Sequence, residues 1–200
     1  FAISTQTISR SGLQGLPHEV VEAATELARH RIGAIITFEQ DANLDEFVGV
    51  HKGHILDAAV SRELLVSLFV PEGVNKLHDG SVVIRNYRIA KAGVFFPMPE
   101  GRVLDDSFGT RHRAALGITE ETDAVVVVVS EERGTISFCF NGNIASNLDG
   151  PKLRTMLEAI FRTDSPVSRI SRCCSDDPAN SSSEVCSTCW VVRMTRWTMC

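Results

Sequence analysis

The sequence predicts an α/β fold, a single domain with a central mixed β-sheet flanked by helices. Short β-branched runs alternate with segments of helical periodicity, the pattern of a sheet covered by helices. Turn signals at Asn86-Tyr87 and Asn141-Gly142 follow strand-like runs, and hairpins of this kind make the sheet mixed rather than all parallel. The 200 residues suffice for one core without disulfide support.

The composition excludes several classes of function. Hydrophobic residues make up 44% and charged residues 22% of the chain, as in soluble globular proteins. The net charge of −5 argues against nucleic-acid binding, which requires a basic surface. No apolar run approaches the roughly 20 residues of a membrane helix, so we expect a cytoplasmic domain. The chain begins at Phe1 without a signal-peptide pattern, which leaves room for a membrane anchor upstream.

The first elements define the start of the domain. Residues 1–16 are polar and rich in Gly and Ser, which predicts a flexible lead-in. Pro17 suits the first turn of a helix that continues to about Arg31. Residues 33–38 are apolar and β-branched, which predicts a buried strand.

The later elements follow from caps, hairpin turns and apolar runs. They are a short helix at 43–48 capped by Asn43, a helix capped by Ser61, strands at 82–85 and 88–96, a helix capped by Thr110, a central strand at 124–129, a strand at 135–140, and a final helix beginning at Asp149 or Gly150.

Residues 163–200 do not fit the domain, which we therefore expect to span residues 17–162. This tail is rich in Ser and contains every cysteine of the chain except Cys139, which we interpret as a small buried hydrophobe in a reducing cytosol. Cys186 and Cys189 form a Cys-x-x-Cys unit that is compatible with zinc, but the spacing is irregular and the tail has no histidine. A disordered extension, or a translated frame foreign to the domain, is the favoured interpretation.

Three clusters of charged and small residues interrupt the strand-like runs. The first is Leu77-His78-Asp79-Gly80-Ser81, directly before a strand. Gly80 permits close approach of a ligand to the backbone, and Asp79 is a candidate Mg²⁺ or Mn²⁺ ligand or proton acceptor. The alternative is a tight turn, for which Asp-Gly is a common sequence.

The second cluster, residues 109–113, places Arg111, His112 and Arg113 in the first turn of a helix. Cationic side chains normally stabilise the opposite end, because the helix N-terminus carries partial positive charge. A bound polyphosphate would compensate for this arrangement. The alternative is a solvated basic turn that pairs with Glu120 or Glu121.

The third cluster, Ser130-Glu131-Glu132, follows the run of valines. Ligand sites in α/β domains gather at strand ends, so a carboxylate here would complete a metal site with Asp79; an ordinary hairpin turn is the alternative. Together the clusters supply acids and phosphate-binding cations for metal-assisted phosphoryl or nucleotidyl transfer. The Walker A, Gly-x-Gly-x-x-Gly, Gly-x-Ser-x-Gly and His-Glu-x-x-His motifs are absent from the sequence.

These clusters resemble the motifs of the diadenylate cyclase (DAC) family. That family carries Asp-Gly-Ala within Leu-His-Asp-Gly-Ala, and Arg-His-Arg within Gly-Thr-Arg-His-Arg-Ala-Ala. Residues 77–81 and 109–115 match these motifs except at Ser81, where the family usually has alanine. The similarity covers about residues 17–161 and includes the segments 31–35, 63–65, 116–118, 130–132 and 141–142.

The resemblance implies the DAC-domain fold for residues 17–162 and condensation of two ATP molecules into cyclic di-AMP, with release of two pyrophosphates. It implies a Mg²⁺ or Mn²⁺ cofactor and a homodimer or higher homo-oligomer in which two protomers meet face to face. Asp79 would be catalytic, and the metal ligands would be Asp79, Glu132 and His78. The nucleotide and phosphate contacts would be Gly80, Ser81, Gly109, Thr110, Arg111, His112, Arg113 and Ser130, with Glu131 a further candidate.

Phe95, Phe96 and Phe108 would border the adenine, or else belong to the hydrophobic core. A catalytically silent nucleotide-binding regulatory module of the same fold is the alternative function. The intact Asp79 and the complete Arg-His-Arg motif favour the enzyme. An interaction domain that uses the Cys-rich tail would instead hold zinc and bind no ATP.

Overall fold

The computed structural model describes residues 10–49, 51–98 and 108–162, with side chains from residue 15 to residue 161 of these ranges. The strands are β1 (Ala34–Phe38), β2 (Lys52–Ala59), β3 (Ser81–Arg85), β4 (Arg88–Val94), β5 (Val125–Val129), β6 (Ile136–Phe140) and β7 (Asn143–Leu148). The helices are α1 (Arg10–Arg29), α2 (Arg62–Phe69), α3 (Thr110–Glu121) and α4 (Gly150–Arg162), and a short 3₁₀ helix spans Leu44–Glu46.

The strands form one seven-stranded sheet in the order β2-β4-β3-β1-β5-β6-β7. Strands β1 and β3 are parallel, and the other neighbouring pairs are antiparallel. The predicted mixed sheet is therefore confirmed. Both predicted hairpin turns are also present, because Asn86, Tyr87, Asn141 and Gly142 all have positive φ, as a type I′ turn requires at its two central residues.

Strand β5 is a fully buried interior strand of the sheet, as its valines predict. It lies between β1 and β6, and all five valines are 0% exposed. Val126 and Val128 belong to a core cluster that includes Ala115 and Ile118 of α3. Because alternate residues of a strand face opposite sides, the other valines face the side from which α1 contacts β5 and β6.

Helix α1 begins at Arg10, earlier than the sequence predicts, and Pro17 lies inside it. The prediction that residues 1–16 precede the first helix is wrong for residues 10–16; residues 1–9 lie outside the described part of the chain. A proline inside a helix removes one backbone hydrogen bond. The buried side chains of Leu16, Val20 and Leu27 form one apolar stripe, and its burial offsets that loss.

The predicted caps are confirmed at two helices and wrong at one, and the final helix begins at Gly150, one of its two predicted starts, with Asp149 as its cap. Asn43 Oδ1 accepts from the Asp45 N–H, Ser61 Oγ accepts from the Leu64 N–H, and Asp149 Oδ1 accepts from the Lys152 N–H. Thr110 does not cap α3, because it is the first helical residue; Gly109 holds the cap position and has no side chain to accept a hydrogen bond.

The two edge strands, β2 and β7, have no counterpart in the sequence prediction. Ile55 in β2 is 79% exposed, and β7 carries no buried residue. Hydrogen bonding to β4 and β6, rather than burial of an apolar face, makes these segments strands. Hydrophobic periodicity cannot identify a strand of this kind.

The described residues up to Arg154 form one compact unit, and a second unit begins at Thr155, inside α4. The predicted tail at 163–200 lies outside the described residues. None of the helices in the described ranges is both long enough and apolar enough to cross a membrane.

Gly134 provides a test of the packing between the β5–β6 turn and α1. Its φ is +64°, and an added Cβ would lie 2.6 Å from the Ala28 carbonyl oxygen. We predict that Gly134→Ala lowers the free energy of unfolding by about 2 kcal/mol or more, because the left-handed strain and the backbone clash add. Urea denaturation measures the change.

Gly15→Ala is the matched control, because an added Cβ there has no neighbouring atom within 4 Å. In the interior of α1 this change should stabilise the protein by about 0.5–1 kcal/mol. Equal unfolding free energies for the two variants would contradict the close contact at Gly134.

Candidate active site at one edge of the sheet

The sheet topology brings the first and third sequence clusters to the same edge. Strands β1 and β3 are parallel, with Ile35 opposite Ser81, so Asp79 lies near the beginning of β1. Strand β5 is antiparallel to β1, with Val129 opposite Ala34, so its last residue and Ser130 lie near that beginning as well. Only β1 separates β3 from β5, so the two clusters are about 10 Å apart along the edge.

Two side-chain contacts join the start of α3, which carries the second cluster, to this edge. Arg111 Nη1 lies 2.7 Å from Glu131 Oε2. His112 Nε2 lies 3.2 Å from Ser137 Oγ, near the start of β6. All three clusters are therefore brought together, although they are far apart in the sequence.

Asp79 is exposed at this edge. Within the described ranges its carboxylate forms neither a hydrogen bond nor an ion pair. Gly80 is packed tightly beside it, because an added Cβ would lie 2.7 Å from the Gly93 backbone. The backbone that carries Asp79 is thus fixed while the carboxylate is available to a ligand.

The N-terminus of α3 has the features expected of an anion site. Gly109 provides no side-chain cap, and the first turn contains no acidic residue. The first N–H groups of a helix have no intrahelical acceptor, and they carry the positive end of the helix dipole. Thr110 is exposed here, and Arg113 Nε donates to the Phe108 carbonyl oxygen at 3.4 Å.

His112 points inward, unlike the predicted phosphate contact. It is 6% exposed, and its ring centroid lies 5.3 Å from that of Phe108. Burial is the largest cause that lowers the pKa of His112, and the positive charge of Arg133 is the second. The negative charge of Glu132 partly opposes this shift. The imidazole is therefore neutral at pH 7 and binds Ser137, whereas Arg111 remains the cation at the edge.

Ser81 also differs from its predicted role, because its side chain is 0% exposed and cannot contact a nucleotide. Its hydroxyl lies 2.8 Å from Thr37 Oγ1 and donates to the Ile35 carbonyl oxygen at 3.3 Å. The hydroxyl that the family usually lacks here is thus bonded inside the sheet, between β1 and β3.

The third cluster forms a hairpin turn, which the sequence analysis gave as the alternative to a metal site. It consists of Ser130, Glu131 and Glu132. Ser130 Oγ accepts from the Arg133 N–H at 3.3 Å, and the Ser130 carbonyl oxygen accepts from the Gly134 N–H at 2.9 Å. Glu131, the less favoured of the two glutamates in the sequence prediction, forms the ion pair with Arg111. Glu132 is exposed.

The three phenylalanines occupy different environments. Phe96 is buried in the α3-facing core cluster, as the core interpretation predicts. Phe108 is half-buried against His112. Phe95 is 40% exposed, next to the ring of His51, and follows β4 at the edge that carries Asp79. Phe95 is therefore the most exposed of the three.

The predicted metal ligands have suitable chemistry but do not enclose an ion. Within the described ranges, no group of three or more His, Cys, Asp and Glu side chains is arranged to hold a metal. Asp79 and Glu132 offer exposed carboxylates, and His78 Nδ1 contacts the Asn75 carbonyl oxygen. Mg²⁺ is commonly held by one or two carboxylates together with substrate phosphates and water, and these donors fit that mode.

The sequence interpretation missed Gly33 and Ser137. Gly33 lies directly beneath the Arg111 guanidinium group, where an added Cβ would be 2.5 Å from Cζ. Neither residue is charged, so neither is identified in the sequence as a candidate for catalysis or binding. Gly33 does fall in a segment similar to the DAC family, and this similarity was the one available signal.

Comparison with known proteins agrees with this geometry. Residues 21–144 match the family model described as "DAC: DisA bacterial checkpoint controller nucleotide-binding". The chain is 39% identical over 160 residues to the cyclic di-AMP synthase CdaA of Bacillus subtilis, covering 77% of this chain and 57% of that protein. It is 39% identical over 140 residues to a diadenylate cyclase of Listeria monocytogenes, covering 70% of this chain and 50% of that protein.

Among solved structures, a double mutant of DacA from Staphylococcus aureus is similar, with a TM-score of 0.69 and 35% identity. The match covers 76% of this chain and 99% of the DacA chain. A hypothetical membrane-spanning protein from Bacillus cereus matches with a TM-score of 0.60 and 35% identity, over 66% of this chain and 62% of the other. The chain thus spans little more than half the length of its curated relatives but nearly all of one solved domain.

The buried pair of hydroxyls yields a first test at this edge. We predict that Ser81→Ala lowers the free energy of unfolding by about 1 kcal/mol, because Thr37 loses its hydrogen-bond partner. The double variant Ser81→Ala/Thr37→Val should recover most of that loss, since replacing both partners leaves no unsatisfied group. Urea denaturation of the single and double variants measures the coupling, and additive losses would contradict it.

The burial of His112 yields a second test. Below the ordinary pKa of 6.5, unfolded His112 takes up a proton and folded His112 does not, because its pKa is lowered. The free energy of unfolding should therefore be highest above pH 6.5 and fall as the pH drops toward the folded pKa.

His112→Gln should remove this part of the pH dependence. Comparing the two proteins by urea denaturation at pH 7.5 and 5.5 cancels the contributions of other groups. An identical pH dependence in both proteins would show that His112 titrates normally.

Proposed function

The chain belongs to the DAC family of nucleotide-binding domains, and from this premise we propose that it is a diadenylate cyclase. It would condense two ATP molecules into cyclic di-AMP and release two pyrophosphates. The observation that carries the proposal is the gathering of Asp79, Arg111 and Glu131 at one edge of the sheet. The names of the relatives in Bacillus and Listeria support the same activity.

The reaction is a nucleotidyl transfer carried out twice. The 3′-hydroxyl of each ATP attacks the α-phosphorus of the other, a 3′,5′-phosphodiester bond forms, and the bond to the β-phosphate breaks to release pyrophosphate. Asp79 is the proposed acceptor of the hydroxyl proton, because its carboxylate is exposed and has no partner among the residues that the structure describes.

The start of α3 is proposed to hold the triphosphate. Its free N–H groups and the guanidinium group of Arg111 would bind phosphate oxygens and stabilise the negative charge that develops during transfer. Arg113 and Thr110 lie on the same turn and would add contacts. Buried and neutral, His112 would act through Ser137 by fixing the orientation of this turn rather than by binding phosphate.

Asp79 and Glu132 are the proposed carboxylate ligands of Mg²⁺ or Mn²⁺, with His78 a further candidate. When bound, the ion supplies positive charge to the phosphates and orients them. Mg²⁺ bound by one or two carboxylates usually completes its coordination with substrate phosphates and water, so ATP and water would supply the remaining ligands.

The product is symmetric, and we propose that two protomers meet face to face, each holding one ATP. The exposure of Asp79 is compatible with this arrangement. A homodimer or higher homo-oligomer would then be needed for turnover.

Asp79→Asn provides the direct test. We predict that the wild-type protein, incubated with ATP and Mn²⁺, yields cyclic di-AMP by chromatography. Asp79→Asn should lower the rate by about 100-fold or more, because the amide cannot accept the proton. The affinity for ATP, measured by titration calorimetry, should be much less affected.

Ser67→Ala is a suitable control, because the Ser67 side chain is exposed on α2 and has no role in the proposed site. A wild-type protein that binds ATP but forms no product would indicate the catalytically silent nucleotide-binding module instead. Failure of the wild-type protein to bind ATP would contradict both functions.

A further inference from the structure

We propose that Gly33 is a positioning residue for Arg111, because the missing side chain at position 33 provides the space in which the guanidinium group lies. The inference rests on the proposed function for its consequence in catalysis. Its structural part, the packing of the Arg111 side chain over Gly33, does not depend on the proposed function.

The contact between Arg111 and Gly33 is unusually close. An added Cβ at Gly33 would lie 2.5 Å from Cζ, 2.6 Å from Nη1 and 2.8 Å from Nε of Arg111. Real Cβ atoms essentially never approach another atom within 3.0 Å, so a methyl group at position 33 and the guanidinium group cannot both occupy this place. Gly33 has no positive φ, so its backbone conformation by itself does not require glycine.

At position 33 the guanidinium group of Arg111 lies within reach of both the first and the third cluster. Gly33 directly precedes β1, which lies between β3, preceded by Asp79, and β5, followed by Glu131. The guanidinium group therefore lies over the middle strand, about one strand spacing of 4.8 Å from each neighbour. The ion pair with Glu131 uses one of its five N–H donors, which leaves others for phosphate oxygens.

A side chain at position 33 would displace Arg111 without disrupting the fold. The three nearest atoms all belong to the end of a flexible side chain, which can rotate away at little cost to stability. At Gly80 and Gly134, by contrast, the clashing atoms belong to the backbone of Gly93 and Ala28. A substitution at Gly33 should therefore move the guanidinium group of Arg111 without unfolding the chain.

Gly33→Ala in the full chain tests the proposal, with Gly73→Ala as the matched control, because an added Cβ at Gly73 meets nothing within 4 Å. We expect unchanged urea midpoints for both variants. For Gly33→Ala alone we expect about a tenfold or greater loss of kcat/KM for cyclic di-AMP formation, since a displaced phosphate ligand typically costs this much or more.

A double-variant cycle on ATP affinity separates positioning from a general structural role. In the Arg111→Ala background, which has no guanidinium group to displace, Gly33→Ala should have no further effect on the dissociation constant for ATP. An equal loss of affinity in both backgrounds would overturn the proposal, as would full activity of Gly33→Ala.

A crystal structure of Gly33→Ala decides the structural part independently of turnover. A guanidinium group displaced from Glu131, in an otherwise unchanged sheet, would support the proposal; a guanidinium group still in place would refute it. If the wild-type protein forms no cyclic di-AMP, the proposed function fails, whereas the affinity cycle and this structure still decide the role of Gly33.

Discussion

The candidate site depends on the parallel pairing of β1 with β3, because every other strand pair in the described part of the chain is antiparallel. Because β1 and β3 run in the same direction, Asp79 lies at the edge where β1 begins, and β5 ends at that edge because it is antiparallel to β1. If β3 were antiparallel to β1, Asp79 would lie at the opposite edge, about 15 Å away over a five-residue strand. The chemistry proposed for this chain therefore requires that β3 run parallel to β1, because only then does Asp79 lie at the edge where β5 ends.

Burial divides the basic residues at the start of α3 between two roles. His112 is buried, its pKa is lowered, and it binds Ser137 in the interior. Arg111 instead reaches Glu131 across the edge, with Nη1 2.7 Å from Oε2. A helix with these groups in its first turn is stable because His112 is neutral and Arg111 is paired with Glu131.

Close packing of small residues fixes the backbone around the site. Gly80 lies against the backbone of Gly93, the guanidinium group of Arg111 occupies the space over Gly33, and Gly134 lies against the end of α1. The Ser81 hydroxyl is accommodated in the same way, because Thr37 provides a hydrogen-bond partner inside the sheet. A polar atom in that position is tolerated only because it is bonded, since an unpaired buried hydroxyl would be costly.

The sequence by itself determined the α/β class, the hairpin turns, the buried strand of valines and the three charged clusters, because local periodicity and turn chemistry specify such features. It did not reveal β2 and β7, whose edge positions require partners rather than an apolar face. Only the tertiary structure decided that His112 and Ser81 are buried, that Glu131 pairs with Arg111, and that Gly33 makes room for it. Each of these depends on contacts between segments far apart in the chain, and such contacts leave no periodic pattern in the sequence.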